Sequence, residues 1–133
     1  MNLINPYIIF SVDTKRPEYQ NFFVRSNVED RMKEEGVSFD DGISYCNGHR
    51  EVVYRIPAHN LGFVQVNCKV YDQHSYLTVD ANRNVELYSI EGKRLQSLGL
   101  LTTGYSDNYL MFNGTNFTYP NPISFSESIK QCV

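Results

Sequence analysis

Several features that would point to a partner are missing from this sequence. It has no tryptophan, no run of more than two adjacent Lys or Arg residues, and a formal net charge of −3 over 133 residues. Proteins that bind nucleic acid through its phosphates need clustered basic side chains, so this class of function is disfavoured. No apolar segment approaches the ~20 residues of a membrane-spanning helix. We therefore expect neither nucleic acid nor a membrane as a partner.

Cysteine is also scarce. Cys46, Cys68 and Cys132 are widely spaced and form no C-x-x-C motif, so the sequence indicates neither a disulfide framework nor a zinc site. The apolar stretch Tyr7-Ile8-Ile9-Phe10 is too short for the core of a signal peptide and has no basic flank. We therefore expect a cytoplasmic protein with reduced thiols.

The common catalytic motifs are absent as well. The sequence contains no P-loop, no G-x-G-x-x-G, no H-E-x-x-H and no recognisable Ser/His/Asp triad. Its three histidines, His49, His59 and His74, are scattered. We therefore predict no metal site and no cofactor. The apolar content of 41% is enough for one core, and the length fits a single domain.

The first half of the chain predicts a mixture of helix and strand. Tyr7 to Val12 is rich in strand formers, and Glu18 to Glu35 places Val24, Val28 and Met32 four apart, with Phe23 near the same helical face. Glu51 to Ile56 is a clear strand closed by Pro57. The segment Leu61 to Tyr71 is ambiguous, because its composition favours a strand whereas its apolar spacing also fits one face of a helix.

Hairpins follow in the second half. Tyr76 to Val79 and Val85 to Ile90 predict two strands joined by a polar turn. Tyr109 to Phe112 and Thr115 to Tyr119 flank Asn113-Gly114, the dipeptide that favours a two-residue hairpin turn.

Polar residues at strand entrances are the candidate site. Glu51 follows a Gly48 turn and opens an apolar strand, where desolvation of a carboxylate is costly unless a partner offsets it. We expect Glu51 to face a cation, which is either one of the protein's own side chains or the positive centre of a ligand. Gln73 and Ser75 precede the Tyr76 strand, where they either line a pocket mouth or cap the segment.

Together these residues resemble a known family. The strand Tyr7 to Val12, a helix entered near Asn21, the motif Tyr45-x-x-Gly48-x-x-Glu51, and the strand Gln73-x-Ser75-x-Leu77-x-Val79-Asp80 occur in this order. The pattern resembles the small phage-encoded S-adenosylmethionine (SAM) lyases, which are antirestriction proteins. The likeness extends from Tyr7 to about Leu98.

The resemblance implies a fold and an assembly. The fold would be an α+β, ferredoxin-like β-α-β-β-α-β sandwich with an antiparallel sheet, in which Leu61 to Tyr71 is the second helix. Residues 1–99 would form the core of a single domain, and residues 100–133 a C-terminal extension with a β-hairpin. The family further implies a homotrimer in the cytoplasm of the host cell, with the ligand bound between subunits.

The resemblance also implies an activity. SAM would be the substrate, and its own carboxylate would attack its γ-carbon to give methylthioadenosine and homoserine lactone without acid, base or metal. Glu51 and Tyr45 would be catalytic, and Ser11, Asn21, Gln73 and Ser75 would contact the substrate. The alternative is a non-catalytic phage anti-defence protein that sequesters a nucleotide-like ligand or binds a host protein.

Overall fold

The computed structural model describes residues 3–126 and 130–132, which form two α-helices and eleven strands. The helices are α1 (Glu18–Glu34) and α2 (Leu61–Val70), the latter preceded by a short 3-10 turn at Ala58–Asn60. The strands are β1 (Tyr7–Phe10), β2 (Asp40–Cys46), β3 (His49–Pro57), β4 (Ser75–Val79), β5 (Asn84–Ser89), β6 (Arg94–Leu100), β7 (Thr102–Thr103), β8 (Tyr109–Phe112), β9 (Thr115–Thr118), β10 (Ile123–Ser124) and β11 (Lys130–Gln131).

Nine of these strands form one antiparallel sheet. The strand order is β6-β5-β4-β1-β3-β2-β8-β9-β7, and β10 and β11 pair separately. Leu100 ends β6 and Thr102 begins β7, so a single residue, Leu101, carries the chain from one edge strand to the other. The sheet must therefore curl until its two edges approach each other, almost as in a barrel.

Side chains alternate between the two faces along each strand, and the central strands bury residues on both faces. Ile8 and Phe10 pack outward against the helices, through Val28 and Met32 of α1 and Val64 and Cys68 of α2. Ile9 points to the inner face, where the cluster also contains Val53, Leu77, Leu87, Leu110 and Phe112. Tyr119, Ile123 and Phe125 from the C-terminal segment complete this inner core.

The predicted ferredoxin-like sandwich with an appended hairpin is therefore wrong. That fold needs a short sheet with helices on one face, whereas here the sheet continues past β4 into β5 and β6, and past β2 into β8, β9 and β7. The hydrogen-bonding edges of β2 and β4 are covered by these strands, and unpaired strand edges favour such additions. The result is a largely antiparallel, curled nine-stranded sheet with only two short helices.

The predictions of individual helices and hairpins are confirmed. A helix covers Glu18–Glu34, and Leu61–Val70 is also helical, which resolves the ambiguous segment. The hairpins β4–β5 and β8–β9 are formed as expected. Phe23 differs from its expected placement on the buried face, because its side chain is 64% exposed.

One glycine allows β8 to join β2. A Cβ atom at Gly42 would lie 2.3 Å from the carbonyl oxygen of Met111 and 2.5 Å from the ring of Phe112. Any side chain at this position would therefore push β8 away from β2. Gly42 is thus a requirement for the extended sheet.

A disulfide joins Cys46 at the end of β2 to Cys132, with a Cα–Cα distance of 5.7 Å. The expectation of reduced thiols is wrong for this pair, because 86 residues of sequence separate the two cysteines and conceal their proximity. Cys68 is free and buried. Within the described ranges, no helix is both long enough and apolar enough to cross a bilayer.

Candidate functional site

Glu51 lies beneath the C-terminal segment of its own chain. It is 3% exposed, and its carboxylate accepts hydrogen bonds from the backbone N–H groups of Phe125 (2.8 Å) and Ser126 (2.9 Å). The Oγ of Ser126 lies 2.8 Å from Nε2 of His49, two residues before Glu51. The carboxylate therefore links Phe125 and Ser126 to β3 through hydrogen bonds.

Burial dominates the electrostatics of this carboxylate. Desolvation raises the pKa of Glu51, and the hydrogen bonds from Phe125 and Ser126, together with the charge of His49, oppose the rise only in part. The described partners of Glu51 are thus mainly N–H dipoles of its own chain. Its expected contact with a substrate cation stays a prediction.

Tyr45 does not share a face of the sheet with Glu51. Ser44 is the residue directly opposite Glu51, and Tyr45 is opposite Arg50. Side chains of adjacent strand residues point to opposite faces, so Tyr45 and Glu51 point apart. The ring of Tyr45 instead stacks on Tyr109 of β8, with centroids 5.5 Å apart and planes 12° from parallel.

Ser11 and Gln73 lie together around Asp13, just after β1. The Oγ of Ser11 donates to the carbonyl oxygen of Val52 (3.0 Å) and accepts from the N–H of Asp13 (3.1 Å). Gln73 donates from Nε2 to the carbonyl oxygen of Asp13 (2.8 Å). Pairing of β1 with its neighbouring strands ends at Phe10, and beyond it these side-chain hydrogen bonds satisfy the backbone groups instead.

Asp13 is the centre of this group, and the sequence analysis missed it. Nη1 of Arg25, on α1, lies 2.9 Å from both carboxylate oxygens of Asp13, and the N–H of Val52 donates to Oδ2 at 3.1 Å. The sequence feature that could have indicated Asp13 is an Asp soon after a strand of apolar residues, with an Arg on the helix that follows. Since Asp13 joins β1, β3 and α1, we assign it a structural role.

Asn21 holds the next turn of the same loop. Its Oδ1 accepts from the N–H of Thr14 (3.2 Å), and its Nδ2 donates to the carbonyl oxygen of Thr14 (3.1 Å). Ser75 begins β4 and is buried on the face of Leu77. Within the described residues, no hydrogen bond connects Ser75 to the Asp13 group. Contact of these side chains with a substrate stays a prediction.

A cleft of the size that a small molecule needs lies elsewhere, beside Tyr7 and Arg55. It is a cleft of about 680 Å³ lined by residues 5–7, 38–40 and 55–59. This volume falls in the range of small-molecule sites, roughly 300–1,000 Å³. We refer to it as the Asp40 cleft. Sequence reasoning missed it because its walls come from three separate segments.

An ion pair lines the Asp40 cleft. Nη2 and Nε of Arg55 donate to the same oxygen of Asp40, Oδ2, at 2.7 and 3.2 Å. The Asp40 and Arg55 side chains are 42% and 20% exposed, so water and solutes reach the pair. The guanidinium also lies over the rings of Phe112 (4.6 Å) and Tyr7 (5.3 Å), which hold it in place.

Metal ligands are not grouped in the part of the chain that the structure describes, where no three His, Cys, Asp or Glu side chains share a site. No protein-family model matches the sequence, and no curated protein matches it. The Asp40 cleft and the sequence pattern are therefore the two features that indicate a function.

Proposed function

We propose that this protein binds a small zwitterionic ligand in the Asp40 cleft, and that SAM is this ligand. The observation that carries the proposal is the solvent-accessible Asp40–Arg55 pair in a cleft of about 680 Å³. An adjacent carboxylate and guanidinium complement the ammonium and carboxylate of an amino acid. The methionine part of SAM has both groups, and the sequence resemblance names SAM in particular.

The side chains of the cleft suit the parts of SAM. Arg55 donates several N–H groups and would hold the ligand carboxylate. Both bonds from Arg55 go to Oδ2 of Asp40, so Oδ1 remains to accept from the ligand ammonium. The rings of Tyr7 and Phe39 also line the cleft and would contact adenine or the sulfonium.

Binding without turnover is the form of this proposal that the geometry favours. Lyase chemistry needs the SAM carboxylate to attack the γ-carbon, forming a C–O bond as the C–S bond to sulfur breaks. A guanidinium that holds the carboxylate lowers its reactivity as a nucleophile. Sequestration of the methyl donor would serve phage antirestriction without catalysis, and cleavage of SAM is the second candidate because it needs no acid, base or metal.

The homotrimer belongs to the same proposal, and the cytoplasmic location stays a prediction. Tyr19, Phe22 and Phe23 are 63%, 60% and 64% exposed on α1, and exposed apolar patches are typical of subunit contacts. Light scattering should then give three times the monomer mass of 15.4 kDa. The Cys46–Cys132 disulfide argues against a reducing cytoplasm.

Calorimetry with SAM tests the binding proposal. We expect wild-type binding, and Arg55→Gln and Asp40→Asn should each weaken it by about tenfold or more, the effect of losing a charged hydrogen bond. Arg94→Gln is the matched control, because Arg94 pairs with Glu86 on the surface of β6. S-Adenosylhomocysteine should bind and methylthioadenosine, which lacks the amino-acid part, should not.

The outcomes separate the two candidates. Binding with no methylthioadenosine detected by chromatography supports sequestration, whereas steady release of methylthioadenosine supports the lyase. Absence of SAM binding, or equal binding by Arg55→Gln and Arg94→Gln, overturns the proposal.

A further inference from the structure

We propose that the Cys46–Cys132 disulfide is a redox switch: its reduction releases the C-terminal segment from the inner core while the nine-stranded sheet stays folded. We call this segment the C-terminal strap, and its described part is residues 119–126 and 130–132. The disulfide links Cys132 of the strap to Cys46 at the end of β2. The switch does not depend on the binding of SAM.

The strap has strand pairing of its own. Its strands β10 and β11 pair with each other, with Ile123 opposite Gln131 and Ser124 opposite Lys130. In the described part of the chain they form a separate two-stranded sheet and do not pair with the nine-stranded one. Departure of the strap would therefore break none of the strand pairing that defines the large sheet.

Hydrogen bonds attach the strap to the sheet at two places. The N–H of Asn121 donates to the carbonyl oxygen of Leu98 (3.1 Å), and the N–H groups of Phe125 and Ser126 donate to the Glu51 carboxylate (2.8 and 2.9 Å). Desolvation raises the pKa of Glu51 despite these bonds. The bonds to Glu51 therefore offset only part of the cost of burying its charge.

A buried hydroxyl also opposes attachment of the strap. Ser124 is 4% exposed, and its Oγ has no hydrogen-bond partner among the described residues. A polar group that is buried without a partner favours the open state, in which water reaches it. Apolar packing favours the closed state, through Tyr119, Ile123 and Phe125 in the inner core. The noncovalent balance of the strap therefore contains large opposing contributions.

The disulfide shifts this balance toward the closed state. Cys46 and Cys132 are 86 residues apart in the sequence. A cross-link between such distant residues restricts the chain more when the strap is detached than when it is attached, so it favours attachment. Its reduction removes this restriction, and local opening of the strap then becomes more favourable.

Thiol–disulfide exchange performs the reduction. A thiolate of a dithiol reductant attacks the sulfur of Cys132, the S–S bond breaks, and Cys46 leaves as a thiolate. The second thiolate of the reductant then attacks the mixed disulfide, so that the reductant becomes a cyclic disulfide and Cys132 leaves. Two electrons pass to the protein, and each cysteine takes up one proton that the reductant has lost.

Access to the disulfide requires movement of the strap. Cys46 is 3% exposed and Cys132 is 8% exposed. A reductant therefore reaches the sulfur atoms only when the strap opens transiently, and reduction then makes this opening persistent. An oxidising environment would keep the strap closed, and a reducing one would uncover the apolar inner face that Ile123 and Phe125 cover.

Hydrogen exchange measured by NMR, on the oxidised protein and on the protein reduced with dithiothreitol, tests the switch. We expect the amide protons of Phe125 and Ser126 to exchange about tenfold faster or more after reduction, because the loop closed by the disulfide is released. The amide protons of β1 and β4 should remain protected over the same labelling time, and reoxidation should restore the protection of the strap. Unchanged exchange in the strap, or loss of protection in β1 and β4 together with the strap, overturns the proposal.

Two cysteine variants assign the effect to this disulfide. In Cys132→Ala the strap amides should exchange rapidly without dithiothreitol, and the reductant should have no further effect. Cys68→Ala is the matched control, because Cys68 is a free thiol, and it should respond to the reductant as the wild type does. An equal response of the two variants overturns the assignment. If Cys132→Ala fails to fold, the comparison of oxidised and reduced wild type decides alone.

A fluorescent dye tests the exposure of the inner face. Anilinonaphthalene sulfonate binds exposed apolar surface, and its fluorescence with the wild-type protein should rise several-fold on reduction and fall again on reoxidation. Absence of this rise would show that the inner core stays covered, and it would overturn release of the strap.

Discussion

Replacement of Glu51 by Gln tests the attachment of the C-terminal segment. Wild-type Glu51 accepts two N–H bonds, from Phe125 and Ser126. Gln keeps one acceptor oxygen, but its NH₂ group meets the second N–H donor and leaves it without a partner. An unsatisfied buried donor costs about 1–3 kcal/mol. We expect the free energy of unfolding to fall by about 1–2 kcal/mol at pH 7, the lower half of that range, because Gln also removes the desolvation cost of the buried charge.

The pH dependence gives the sharper prediction. Burial raises the pKa of Glu51 above its ordinary value of 4.5, so between the two pKa values the folded protein binds more protons than the unfolded chain. The stability that Glu51 contributes is therefore complete below pH 4.5 and is lost as the pH rises through the folded-state pKa. Because Gln does not titrate, Glu51→Gln should be more destabilising at about pH 5 than at pH 7.

Urea unfolding of wild type and Glu51→Gln at both pH values measures the difference. Glu86→Gln is the matched control, because Glu86 on β5 forms a surface pair with Arg94, and such pairs contribute about 0–1 kcal/mol. A larger effect of Glu51→Gln at pH 7 than at pH 5 would refute the reasoning, because the hydrogen bonds would then outweigh desolvation. SAM affinity should stay unchanged in this variant, and its loss would instead restore Glu51 as a ligand residue.

Three further predictions follow from buried contacts. Asp13→Asn should lower the free energy of unfolding by about 1–3 kcal/mol, because the largely buried Arg25 loses its buried carboxylate partner and keeps only the exposed Glu18, and urea unfolding checks this. Tyr54→Phe removes the 2.7 Å hydrogen bond to Glu29 and should cost about 1–2 kcal/mol in the same assay, and a variant as stable as wild type would contradict it. The denatured chain should react with a thiol reagent once, at Cys68, and three times after reduction, which should itself lower stability by about 2–5 kcal/mol. Three reactive thiols before reduction would contradict the disulfide.

Short-range signals in the sequence predicted the elements well. The four-residue spacing of Val24, Val28 and Met32 predicted α1, and the last two of these are fully buried. Asn113-Gly114 predicted the β8–β9 turn, where both residues have the positive φ angles, 51° and 77°, that this dipeptide favours. These features depend on residues within one or two turns of each other, so local propensity suffices to specify them.

The candidate site could be predicted only in part. The resemblance implied that Ser11, Asn21 and Gln73 contact the substrate, which stays a prediction, and in the structure these side chains hydrogen-bond backbone groups of their own chain. A carboxylate after a turn suggested a buried charge at Glu51, and that burial is present. Its partner Phe125 lies 74 positions away, and no local pattern indicates such a contact.

Only the tertiary structure determined the closed form of the sheet. Sequence spacing does not reveal that β2 and β4 each gain a further neighbour, that Leu101 connects the two edge strands, or that Cys46 meets Cys132. Strands pair through backbone N–H and C=O groups, which every residue except proline has in full, so these groups do not determine which strands become neighbours. The packing of side chains from distant segments determines it. The same packing creates the Asp40 cleft, whose walls come from three separate segments of the chain.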